Sequence, residues 1–159
     1  MKWTATEHRK KNNITVGLIN FNSAFADAVD ALSPNISAAN AHEGKYDIVA
    51  IGESGCDLNR SSIKADIVLC PQDGNCKGSI ECNGVISCGM SRRSTVSFTS
   101  IGEQKAMLAV NRSIRAGNRL TEQCEMHCPF DRNLSIYENL VLSAIRLLDD
   151  SVGKDREVE

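Results

Sequence analysis

The chain has 159 residues, 42% hydrophobic and 24% charged, with a net charge of −2 from 18 basic and 20 acidic side chains. That length suits one domain with its own core, and the composition excludes disorder over the whole chain. The slightly acidic balance excludes a general nucleic-acid binder, which needs surplus cations against phosphate, and no apolar run reaches the roughly 18 residues of a membrane span.

In chain order, residues 1–13 are polar and charged and read as a flexible arm. No apolar stretch follows to make a secretory signal, so the expected location is the cytoplasm. "ITVGLIN" (14–20) reads as a buried strand with Ile14, Val16 and Leu18 on one face. "SAFADAVDAL" follows as a helix, with Ser23 as its N-cap and Phe25, Ala28, Val29 and Leu32 as its apolar stripe. "SPNISAANAHEGK" reads as loop. "YDIVAIG" (46–52), "ADIVLC" (65–70) and "NGVISCG" (83–89) are short apolar runs bounded by Gly, Asn and Pro, the pattern of strands covered on both faces of a parallel sheet. Between Gly52 and Ala65 there is room for a loop or about two helical turns, so this half is short of crossover helix.

From Ser94 the pattern alternates. "STVSFTSI" (94–101), "KAMLAVNRSI" (105–114) and "TEQCEMHC" (121–128), joined by the turn-forming "IGEQ" and "RAGNR", predict a three-stranded antiparallel meander. Pro129 ends it. Ser135 and Glu138 then form a capping box, and Tyr137, Leu140, Val141, Ala144, Ile145 and Leu148 stripe a closing helix over 135–149. Residues 150–159 read as a charged flexible tail. The expected fold is one α/β domain over 14–149: a mostly parallel sheet with helices, then the meander and the closing helix.

Seven cysteines without an export signal read as thiols rather than a disulfide framework. Cys70, Cys76, Cys82 and Cys88 recur every six residues, whereas structural zinc sites use pairs two to four apart. In "CEMHC", a strand puts Cys124 and Cys128 on one face and His127 on the other, so the three do not converge. No metal and no cofactor are expected.

The order from "VISCG" through the basic turn "MSRRS" into "TVSFTSI", two more strands and "YENLVLSAIRLL" resembles the C-terminal half of the central, ATP-binding domain of Mur ligases, over roughly residues 84–148. Gly89 stands for the glycine that ends that family's strand, and Asn139 for the asparagine of its closing helix. The resemblance implies a nucleotide-binding α/β fold and a link to bacterial cell-wall metabolism. Three departures limit it. The family's glycine-rich phosphate loop, "G-T-x-G-K-T", is replaced after the first strand by "GLINFNSAFAD", and no amino-acid-binding C-terminal domain follows. The family's His-Asn pair is not reproduced either, the chain reading "DRNLSIYEN". The expectation is a reduced, non-catalytic relative acting as a binding or regulatory module for a small ligand or protein partner, with homo-oligomers open.

"AIGESGCDLNRSS" (50–62) leaves a strand's C-terminal end, where open α/β sheets place ligands. Glu53, Ser54, Cys56, Asp57 and Arg60 are its candidate ligand-binding residues. Glu53 is placed where the ligases bind Mg²⁺, and an ordinary capped turn is the alternative. A small enzyme using Glu53, Cys56 or Asp57 is the second functional class. Cys56 would then need a base near it, and His42 is the histidine that folding would have to supply. Arg92 and Arg93, with Arg112, Arg115 and Arg119, offer guanidinium forks for an anion. The simpler expectation is a solvated face paired with Glu103, Glu122 and Glu125.

Overall fold

The computed structural model describes residues 13–54, 56–57, 62–72, 76–77 and 80–158, with 56–57, 76–77 and 150–158 described by backbone alone. The described elements are β1 (Ile14–Ile19), α1 (Ser23–Asp30), β2 (Ile36–Asn40), β3 (Gly44–Ile51), β4 (Cys56–Asp57), β5 (Ile63–Pro71) and β6 (Cys76–Lys77). They continue with β7 (Glu81–Cys88), β8 (Val96–Ile101), β9 (Lys105–Val110), β10 (Ile114–Ala116), β11 (Arg119–Thr121), β12 (Cys124–Pro129) and α2 (Ile136–Val158).

Eight strands form one sheet in the order β12-β9-β8-β7-β5-β3-β1-β2. The pairs from β2 through β8 are parallel, and β8-β9 and β9-β12 are antiparallel. The expected α/β class and its mostly parallel sheet are therefore present. The meander is not a separate layer, because Val96 of β8 pairs in parallel with Cys88 of β7 and extends the same sheet.

Several local expectations are corrected. The stretch 33–45 contains a strand, β2, which pairs Ile36 with Ile14 on the outer edge of β1. Small and polar residues hide it in the sequence. Helix α1 is capped by Asn22 rather than Ser23: the Asn22 Oδ1 accepts from the Phe25 N–H at 2.9 Å. The middle strand stops at Val110. There the Asn111 N–H donates to Thr95 O at 2.8 Å and its amide donates to Ser94 O and Ser97 Oγ, so the chain turns away. It then makes the β10–β11 hairpin, whose turn needs a positive φ of 60° at Gly117. The short connection between Gly52 and Ala65, expected as a loop or about two helical turns, shows no helix among the described residues, and Cys56 pairs there with Cys76 in a two-stranded parallel ladder. Helix α2 continues to Val158, past the residue-149 end that was expected.

Both helices pack into one core with alternate residues of the sheet, including Val16 and Leu18 of β1, Leu69 of β5 and Leu108 of β9. Phe25 and Val29 of α1 and Leu140, Val141 and Ile145 of α2 are fully covered there. A second, smaller cluster of Val49, Ile51, Ile63, Ala65 and Val68 is separate from it. The capping box of α2 is present: the Ser135 N–H donates to Glu138 Oε1 at 2.8 Å, and the Glu138 N–H donates to Ser135 Oγ at 3.0 Å.

Candidate functional site

The C-terminal ends of β1, β3 and β5 converge under the first turn of α2. Their approach depends on Gly52. A Cβ there would lie 2.3 Å from Asn20 O, so only glycine lets the end of β3 lie against the end of β1. The Gly52 N–H donates to Ile19 O at 2.7 Å. Just past this contact, Glu53 and Ser54 stand exposed above the sheet edge.

Tyr137 anchors the helix over that edge. It is buried, and its hydroxyl donates to Ile51 O at 2.5 Å. A cavity of about 450 Å³ opens beside it, walled by Glu53, Gln72 and Ser94 on the polar side and by Met90, Ile136 and Leu140 on the apolar side. Ser94 is buried and its hydroxyl donates to Gln72 Oε1, which fixes both groups. Gly89 makes that pairing possible, because a Cβ at 89 would sit 2.7 Å from Ser94 Oγ. Met90 and Ile136 are among the few large apolar side chains left exposed, 54% and 45%, and both border this cavity. On the other side of Tyr137, Glu53 and Ser54 also border a shallower depression with Asn20 and Ser135.

Burial raises Tyr137 well above its ordinary value, with Cys88, Cys70 and Glu53 adding in that order. Burial also raises Cys88, helped by Cys70, and raises Cys70, helped by Cys82. Burial thus keeps the Cys88 thiol, the one in this lining, protonated rather than nucleophilic. In the unfolded chain Cys titrates near 8.5 and Tyr near 10, while in the fold both stay protonated to higher pH. The native state then holds more protons, so stability is full below about pH 8 and falls as pH rises through about 8.5 to 11. Urea melts across that range should show the loss, and Tyr137→Phe should flatten its upper part.

Of the candidate residues, the fold brings Glu53 and Ser54 to this site. Cys56 and Asp57 are described by backbone alone, and Arg60 lies outside the described residues. Arg92 and Arg93 are exposed on the turn that follows Met90 and Ser91, with the Arg93 N–H held by Ser91 Oγ at 3.1 Å. The glutamate pairing expected further along is not made by Arg112 or Arg115 among the described residues. Gln72, Ser94 and Tyr137 were not legible as site residues: Gln72 carries no motif, and Tyr137 reads only as one more position of an apolar stripe.

Asn139, which the ligase resemblance sets in place of the asparagine of that family's closing helix, is 1% exposed and spent on its own chain. Its Oδ1 accepts from the Asp131 N–H at 2.9 Å, and its Nδ2 donates to Asp131 O and Ser135 O. Where a phosphate loop would follow β1, Phe21 stacks on Phe25 at 4.3 Å and Asn22 Oδ1 accepts from the Phe25 N–H in the first turn of α1. Cys70, Cys82, Cys88, Cys124 and Cys128 are free thiols, and no group of three or more His, Cys, Asp or Glu side chains converges among the described residues. No described helix is long and apolar enough to cross a membrane. No family model matches the sequence, and neither a curated protein nor a solved structure matches it.

Proposed function

We propose that the chain is a non-catalytic binding or regulatory module, a reduced relative of the Mur ligase central domain, that holds a small organic ligand at the C-terminal edge of its sheet. The cavity beside Tyr137 carries this reading. Its size is within the ordinary range for small-molecule sites, and it lies where parallel α/β sheets present ligands. The wall chemistry supports a ligand with two ends. Met90, Ile136 and Leu140 suit a ring or aliphatic body, while Glu53, Gln72 and Ser94 suit a hydrogen-bonding end. The succession of β7, a basic turn, β8, β9, β12 and α2 supports the ligase-like reading of the second half. A link to cell-wall synthesis rests on that resemblance.

Phosphoryl activation is not part of the proposal. The turn after β1 presents two phenylalanine rings in place of a row of free N–H groups and a lysine. Calorimetry with Mg²⁺-ATP should therefore show no saturable binding, and Mg²⁺-dependent binding in the micromolar range would overturn the non-ligase reading. A thermal-shift screen of nucleosides and cell-wall precursor fragments tests the cavity itself. A true ligand at 100 times its Kd should add about 2.7 kcal/mol to stability. That gain should shrink in Glu53→Ala, an exposed position whose loss leaves the core intact. Gains that survive unchanged in Glu53→Ala and Ser94→Ala would place the ligand elsewhere.

A further inference from the structure

A second cavity, of about 360 Å³, lies at the opposite, N-terminal end of the parallel strands, between the β10–β11 hairpin and Leu148 of α2. It shares no lining residue with the cavity beside Tyr137. Along its strand side runs a row where the ladder lapses. Tyr46, Ala65 and Cys82 pair across β3, β5 and β7, and so do Ile48, Ile67 and Gly84. Between those rows Asp47, Asp66 and Asn83 stand level without a rung of their own. The strands change sides there: Ile63 and Ala65 belong to the smaller cluster, Ile67 and Leu69 to the main core. Side chains link β1 to β3 at this level, the Thr15 N–H donating to Asp47 Oδ2 at 2.8 Å and the Asp47 N–H to Thr15 Oγ1 at 3.1 Å.

Gly84 is the residue that the chain's own packing does not account for. It sits inside β7, an interior strand, where glycine weakens the element. Its φ is not positive, and a Cβ built on it meets nothing within 4 Å. No backbone contact or turn requires a glycine. What its missing side chain does is keep the cavity open.

The walls divide into three chemistries. Asp47 and Asp66 present carboxylates from neighbouring strands, Asp66 steadied by the Asn83 amide at 3.4 Å. Arg115 presents a guanidinium from the hairpin and pairs with no carboxylate among the described residues. Ile48, Ile67 and Leu148 form a buried apolar floor. We infer that this cavity binds a small zwitterion with an aliphatic body, a free α-amino acid of the leucine class. Its ammonium lies against Asp47 and Asp66, its carboxylate takes the Arg115 fork, and its side chain rests on the apolar floor. Two acidic walls against one basic wall make the ammonium the dominant anchor.

Calorimetry with L-leucine, N-acetyl-L-leucine and L-leucinamide on the full chain tests this. Leucine should bind saturably with a Kd of about 1 mM or tighter, and the analogues lacking one charge should bind at least about tenfold more weakly. Gly84→Val fills the opening with a residue that strands favour. It should abolish leucine binding while the melting temperature holds or rises. Arg115→Leu, an exposed hairpin position, should weaken leucine by about tenfold or more and leave leucinamide unchanged, which keeps the test valid if Gly84→Val folds poorly. Glu53→Ala should leave leucine binding intact, which separates this site from the cavity beside Tyr137. Absence of saturable leucine binding, equal binding of the three probes, or unaltered binding in both Gly84→Val and Arg115→Leu would overturn the inference.

Discussion

Leu140→Ala should lower unfolding stability by about 2–5 kcal/mol, the transfer energy of the lost methyl groups plus the space left behind. Leu140 is 1% exposed at the point where α2 meets the sheet. Against the roughly 5–15 kcal/mol that holds a domain together, that is a large fraction. Ile145, also fully buried, should cost a similar amount when cut to Ala. The two differ in a second readout. Leu140 borders the cavity beside Tyr137 and Ile145 does not, so only Leu140→Ala should also weaken a ligand bound there. Urea melts at several protein concentrations check the origin of the loss. A loss independent of concentration places the helix in the monomer core. A loss confined to self-association, with monomer stability kept, would make α2 an interface instead.

Phe25→Ala should cost about 3–5 kcal/mol. The ring is completely buried on the first turn of α1, stacks on Phe21 at 4.3 Å, and connects through Phe21 to Tyr137, whose ring centroid is 6.5 Å further on. Its removal takes away the main apolar anchor of an eight-residue helix, and a helix that short has little stability apart from its packing. The same substitution should loosen the first turn of α2. Tyr137 fluorescence and the protection of the Glu138 and Asn139 amides from hydrogen exchange report on this. A variant with native amide protection and a loss under about 1 kcal/mol would show that the ring stack is not what seats the helix.

The most legible parts of the chain were those where one local signal had no rival. Ser135 and Glu138 sit three apart before an apolar stripe, and both hydrogen bonds of the box form. Short runs such as "ITVGLIN" and "ADIVLC" are strands because no helical stripe can be drawn through them. The exposed position of Glu53 and Ser54 was legible because they follow a buried strand, and the open edge of a parallel sheet is where such residues become accessible. The stretch "ISAAN" was not legible, since β2 is an edge strand and only one face of it, through Ile36, is well buried. Gln72 and Ser94 were hidden for another reason: they are 22 residues apart and acquire a joint role only when β5 and β7 lie side by side.

From sequence alone come the α/β class, the parallel run of short apolar strands, the closing helix with its cap, and the lack of a phosphate loop after the first strand. Each of these depends on composition or on neighbours within a few residues, where propensity and periodicity act. The fold itself settles the rest. Residues 63, 65, 67 and 69 alternate in the sequence, yet they divide between two cores, because the ladder lapses at the Asp47–Asp66–Asn83 row and the strand changes sides there. Gly52 and Gly84 look alike in sequence, but one is required by the Asn20 carbonyl and the other borders open space. Such distinctions arise from the packing of strands distant in sequence, and the short-range pattern of a chain does not contain them.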